Sequence, residues 1–456
     1  MSEIDDIRAE AIRSRAFIRG AETQLSKVIA LIDDAPVGPP PDPVDPPVVD
    51  PDPPTTTEGF LARQPRPDAI RVPGGGDLAS AIATGKDVLL QADATYRLGN
   101  RVDLRDGQLI DVYGEGDRPV VICTRAFGID GVSNVQIVGL HLYCEVGNPW
   151  SPAYDFKSDR SNAISVTDGA SNVLIEDCLI DFFEKGIVAV DEANAQTRDI
   201  LVHRCIIRYN WNKGDRGAGI YTNRVRDFAV TESVIDHNGW HPLIDNYRRG
   251  VQAHGCYFSG RYNSGVPDKW PAADNDPSFV IEFHRNIVSR SSANGCQFRL
   301  GGNVTDCVFV GNPMGLYTWT NDSTVRRTAI LDGTHIPGRE RGWGIQIIAG
   351  GEYSDLLIAN VTRATASSHA IVYEHPNAIL DDIRIYNWKA EQRDSGVYDK
   401  NNVNPDVSGV TETHGGDRDA TLTDDEIEFH ADRPRGVWGE QYDAGKISER
   451  LREAYP

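Results

Sequence analysis

Along the middle of the chain, apolar residues recur two apart, pause across a short turn, and recur two apart again. Within Asn172–Asp181 the positions are Val173, Ile175, Cys178 and Ile180. The same string returns in Asp199–Arg208 and Asp227–Asp236, with an earlier copy from Asn134 and a late one over Ile379–Tyr386. Looser copies put the Cys178-equivalent at Cys256, Asn286, Cys307, Thr328, Asn360 and Arg384, at spacings of about 21–32 residues. That is the length of one solenoid turn, and successive turns stack about 4.8 Å apart. Alternating side chains make each repeat two inward-facing strands around a bend. The spacing therefore predicts an all-β parallel β-helix over Asp77–Ala390, within a domain of residues 59–392.

The ends follow different rules. Ile4, Ile7, Ala11, Ser14, Ile18, Ala21, Leu25, Val28 and Ile32 alternate steps of three and four, which predicts a coiled-coil helix in residues 1–35. Isoleucine at both a and d positions (Ile4, Ile7, Ile18, Ile32) favours a trimer over a dimer. Residues 36–58 are proline-rich and read as a semi-rigid spacer. A helix held away from its own domain must pair with copies of itself or with another protein. Residues 393–456 lose the repeat. They form a polar extension, acidic at Thr423–Glu426, ending in a short helix with Ile447, Leu451 and Tyr455 four apart.

The net charge of −21 and pI near 4.9 argue against a nucleic-acid partner, which needs a basic face. No run of 18 apolar residues is present, so no membrane insertion is expected. None of the seven Cys sits in a C-x-x-C pair. They read as small buried hydrophobes in a chain folded in a reducing cytoplasm.

A solenoid turns sequence offsets into spatial columns. Asn210 and Asn238 fall where an asparagine ladder would line a turn. Leu179, Ile206, Val234, Tyr257, Ile287, Val308 and Ala329 follow the inward positions and should point outward. Such a stripe needs cover, and the seam of a homotrimer is the expected one. Insertions at the asparagine corner carry Trp150 and Tyr154, then Trp211, Asp215 and Arg216, then Trp240, His241 and Asp245. A longer one carries Trp270 and the Asp274–Asp276 run, and a later one Arg341 and Trp343. Flat rings suit sugar faces and charged groups suit hydroxyls, so Trp150, Tyr154, Trp211, Arg216, Trp240, His241 and Trp270 are candidate carbohydrate-binding residues. Asp181 and Asp236 share a column two turns apart, near the upper end of the carboxylate spacing of about 6.5–9.5 Å in inverting glycosidases. They are candidate catalytic residues, with Asp215, Asp245 and Glu184 as alternatives. No cofactor is expected. The one place suited to calcium is Asp274–Asp276.

The Asn-Val-x-Ile-x-x-Cys-x-Ile repeat and the helix before Ala94-Thr95-Tyr96-Arg97-Leu98 resemble the pectin-lyase-like right-handed parallel β-helix family, over about 310 residues. Coiled coil, Pro linker and β-helix together resemble tailspike or fibre proteins of phages and phage-like particles, including gene-transfer-agent-like ones. The resemblance implies a homotrimeric spike on a particle surface, attached to a particle protein through the N-terminal helix. It would bind host capsule or lipopolysaccharide. The alternative it implies is a depolymerase of lyase or glycoside-hydrolase type. The Arg-x-Pro-x-x-Arg of pectate lyases and the Gly-His-Gly of polygalacturonases are missing from the repeat.

Overall fold

The computed structural model describes residues 61–191, 195–214, 216–239, 241, 253–260, 277–321, 323–335, 341–362, 364–404, 406–415 and 420–455. The expected coiled coil and linker lie outside them. So do Asp215, Trp240, Asp245, Trp270 and Asp274–Asp276.

The described residues form a parallel β-helix. Each coil has three strands, as in Ser171–Glu176, Leu179–Asp181 and Lys185–Val190. The first strand pairs in parallel with Arg198–His203 of the next coil, the second with Ile206–Arg208, and the third with Ala218–Asn223. One sheet of 11 strands takes the third strand of every coil, and a 21-stranded sheet takes the others. A short helix, α1 (Leu78–Ala83), closes the first coil, with Asp77 capping its N-terminus through the Ser80 N–H.

The inward residues stack in apolar columns. Ile180, Ile207, Ile235, Val288 and Phe309 are all fully buried. All seven Cys are free and buried in this interior. The asparagine ladder is present: Asn210 donates to Asn238 Oδ1 (3.0 Å), which also accepts the Asn210 backbone N–H (3.1 Å). It satisfies backbone groups that the tight corner would leave buried and unpaired.

Left-handed backbone recurs at fixed places in the coil, two of which flank the short second strand. One is the bend, Asp177, Arg204, Glu232 and Arg285. The other follows the short second strand, Phe182, Tyr209, His237 and Arg290.

The expected register fails after Ser233. Cys256 lies in a third strand, paired with Cys296. The true successor of Ser233 is Asn286, 53 residues on, whose Oδ1 accepts the Ser233 N–H (2.9 Å). Two long insertions in one coil hid this. Likewise Tyr257 leaves the outward stripe, since Val234 pairs directly with Ile287. Asn360 and Arg384 give way to Leu356 and Ile383. The sheet also continues past residue 392, because Val410–Thr413 pairs with Ile383–Tyr386.

The outward apolar stripe is covered by the chain itself. The C-terminal extension carries α2 (Asp424–Ala431), started by a Thr423/Glu426 capping box, and α3 (Ala444–Ala454). Ile427, Ile447, Leu451 and Tyr455 bury against Ile287, Val308, Ala329, Leu331 and Leu357 as a second core. Ala431 covers Ile206, Val234 and Leu179. A buried ion pair fixes the crossing: Asp177 accepts from Arg118 (2.6 Å) and Arg433 (2.9 Å), and its second oxygen accepts the Gly436 N–H (2.8 Å). The stripe therefore offers no seam for neighbouring shafts, and the expected trimer loses that support.

Candidate functional site

The corner after the short second strand carries a column of rings. Phe182 stacks on Tyr209 (centroids 5.3 Å, 5°), and Tyr209 on His237 (5.1 Å, 22°). The loop between Tyr143 and Asn162 places Trp150 edge-on to both Phe182 (5.9 Å) and Tyr209 (5.7 Å). Trp150 is 54% exposed, the most open aromatic side chain among the described residues. Tyr143 meets Phe182 edge-on at 5.9 Å. Such rings satisfy one another's edges and faces; Phe182 is buried, Tyr209 and His237 are half-buried, and Trp150 reaches solvent.

Polar groups border the rings. His141 Nε2 lies 3.0 Å from the buried Asp181 Oδ1, with the His141 and Tyr143 rings 5.5 Å apart. Arg208 Nε is 3.7 Å from Asp181, and its NH1 donates to Asp432 beside α2 (2.9 Å). Burial first, then the Asp236 charge, pushes the Tyr209 hydroxyl up, so it stays protonated. The site thus combines a shaft corner, one loop and the C-terminal extension.

Asp236 is held for structure. It accepts from Ser289 Oγ (2.6 Å), His237 Nδ1 (2.9 Å) and Arg290 Nε and NH2 (2.9 and 2.8 Å). Burial raises its carboxyl, but His237 and Arg290 outweigh this and hold it well below the usual carboxylate range. A buried anion with every lone pair engaged is no proton donor for a glycosidic bond. The expected Asp181–Asp236 pair is therefore corrected: Arg208 stands between them and Asp236 is spent in the Arg290 ion pair.

The other candidates part ways. Trp211 is fully buried and pins its loop: its Nε1–H donates to Gly147 O (3.0 Å), and the Arg160 guanidinium lies 3.5 Å over its ring. His241 is buried beside it (4.4 Å) and bonded to the Tyr154 hydroxyl (2.8 Å). Burial, then Arg160, pushes His241 down to about 4, so it is neutral at pH 7. Trp211 and His241 cannot meet a polymer, and the expectation that they do is corrected on burial. Tyr154 is half-buried against His241, and Arg216 is exposed on the next loop. Phe182, Tyr209, His237, Tyr143 and His141 were missed by sequence reasoning. Phe182, Tyr209 and His237 stand four residues past Cys178, Cys205 and Ser233, a ring column visible once that offset is followed.

Among the described residues no cluster of His, Cys, Asp or Glu could hold a metal, and no helix is long and apolar enough to cross a membrane.

The geometry defines a parallel β-helix with an aromatic corner. A family described as "Right handed beta helix region" matches residues 162–330. No curated protein matches the chain by sequence. Among solved structures, the chain is similar to PfbA, a surface adhesin of Streptococcus pneumoniae, at 10% identity (68% of this chain, 80% of that one, TM-score 0.45). The Dettilon tailspike protein follows at 13% identity (74% and 64%, TM-score 0.43). The A-module of a mannuronan C-5 epimerase from Azotobacter vinelandii is 12% identical (75% and 95%, TM-score 0.40). At these identities and TM-scores they bear on neither ligand nor activity.

Proposed function

We propose that this chain is an adsorption protein of a phage or phage-like particle, and that its aromatic corner binds a polysaccharide of the host surface. The observation that carries the binding is exposed Trp150 standing over the Phe182–Tyr209–His237 column. The rings follow one another at about the strand spacing along the shaft, which suits an extended polymer lying along it. Attachment falls to the residue 1–35 helix, whose heptads support a trimer held at that end alone. The test is binding of full-length protein to polysaccharide extracted from candidate hosts. Saturable binding that Trp150→Ala weakens about tenfold or more is the expected result. Binding indifferent to that change would sink the corner as the site. Light scattering checks the trimer, which a monomeric full-length protein would overturn.

The His141–Asp181 pair beside Tyr143 favours a second reading, a depolymerase, because a carboxylate-oriented imidazole next to a phenol is an acid–base set. Sizing the polymer after incubation decides it. Shortening that His141→Ala abolishes would make the corner catalytic, and an unchanged polymer leaves it a receptor.

A further inference from the structure

A second cavity lies away from the corner, wholly within the C-terminal extension. It measures about 430 Å³ and lies between α2, the turn Glu440–Tyr442 and α3. Phe429 lines it, 51% exposed, stacked on Tyr442 at 5.0 Å and 7°. A ring so exposed on a docked helix contributes less to the fold than a buried one, because burial is what makes a large apolar side chain stabilising.

The polar lining is underused. His430 is only 4% exposed, lies edge-on to Phe429 and Tyr442, and its ring nitrogens have no hydrogen-bond partner among the described residues. Burial, against the pull of Glu426, pushes this imidazole down to about 4. At pH 7 it offers one donor and one acceptor. Asp425 and Glu440 also line the cavity and make no side-chain bond among the described residues. Glu426 is taken up by Thr423 and Arg450, and Lys446 by Glu449. The lining thus presents an apolar ring, a neutral imidazole and two carboxylates without a hydrogen bond, Asp425 and Glu440, the latter in the field of Lys446, with Arg450 beside Glu426.

We infer that this cavity is a second saccharide site, which takes a neutral sugar unit with its ring face on Phe429 and its hydroxyls donating to Asp425, Glu440 and His430. Hydroxyl donors match carboxylate acceptors, whereas a uronate would meet like charge.

The experiment is saturation-transfer NMR on full-length protein at pH 7 with maltose, cellobiose, lactose, chitobiose and digalacturonate. Transfer to at least one neutral disaccharide is expected. Measured in a Trp150→Ala background, which removes the corner's own contribution, it should fall threefold or more when Phe429→Ala or Glu440→Gln is added. Circular dichroism of each variant checks folding, and Glu440→Gln alters an exposed side chain only. No transfer to any neutral disaccharide, transfer indifferent to Phe429→Ala and Glu440→Gln, or transfer to digalacturonate through this cavity would overturn the site. The Trp150→Ala background keeps this result separate from the fate of the corner.

Discussion

The same backbone position is filled in two ways along the shaft. From the coil of Leu179–Asp181 onward, a residue in left-handed conformation follows the short second strand. Towards the C-terminal end it is Gly311, Asp332, Asn360 and Asn387, the residue types that tolerate this region with least strain. In the coils before them it is Phe182, Tyr209, His237 and Arg290, with φ of 67°, 54°, 49° and 48°. A bulky residue there is uncommon and costs about 1–3 kcal/mol. The fold does not demand that cost, since its own later coils avoid it. The later corners lie beside packed α3 and need only turn the chain. Of the earlier ones, the three with rings lie beside the open Trp150 loop. Bulky residues at positive φ also stand at Arg204, Glu232, Arg285 and Arg327, so what sets these corners apart is the run of three rings beside Trp150.

The contrast breaks first at the two tryptophans. Trp211→Ala should destabilise by about 3–5 kcal/mol, because it empties a buried site and leaves the Arg160 guanidinium without its ring. A lowered urea midpoint checks this, and an unchanged midpoint would show that the buried loop pin is not structural. Next comes the strap. Asp177→Asn keeps the bend residue's shape but leaves Arg118 and Arg433 buried without their anion, at about 3 kcal/mol. Hydrogen exchange should then quicken in α2 and α3 while the inward columns stay protected. Equal loss in both would mean that strap and shaft unfold as one.

How much of this could be read from the residues is uneven. The Val173–Ile180 type of string gives coil, strand and inward face directly, because period-two burial is local. The Asn210–Asn238 ladder follows from the same arithmetic. Register beyond Ser233 was not legible. Nothing local distinguishes a third strand such as His254–Ser259 from a first strand, and Cys256 imitates the repeat. The cover over Ile287, Val308 and Ala329 was not legible either. A stripe shows that a partner exists, but its partner was 427–455 of the same chain, which only tertiary packing reveals. Tryptophans flag rich loops without telling a pin from a platform. That depends on burial, fully for Trp211 and little for Trp150.

Acid should separate the regions as well. Burial lowers His203, His241 and His430 each to about 4. A histidine kept neutral in the fold has a folded pKa below its unfolded value near 6.5. Its stabilisation is complete above about pH 6.5 and lost as pH falls towards 4, where the unfolded chain takes protons the fold refuses. The melting temperature should therefore drop across that window, and His241→Gln should flatten part of the drop. A melting temperature constant from pH 7 to 4 would contradict the burial of these imidazoles.

The smallest expected change in stability is the most informative. Tyr209→Asn replaces a strained aromatic with a residue suited to φ of 54°. It relieves about 1 kcal/mol or more of backbone strain. It also removes ring contacts to Phe182, Trp150 and His237, each worth about 0.5–1.5 kcal/mol. The terms oppose each other, so the denaturation midpoint should move by less than that of Trp211→Ala, in either direction. Polysaccharide binding has no such compensation, because asparagine offers no face to a sugar ring, and it should weaken about tenfold. A variant that folds as well and binds as well would show that the ring column is packing, and that the choice of Phe182, Tyr209 and His237 over Asn or Gly answers to the Trp150 loop alone. A variant that folds as well and binds poorly would locate the reason for the strain in the ligand.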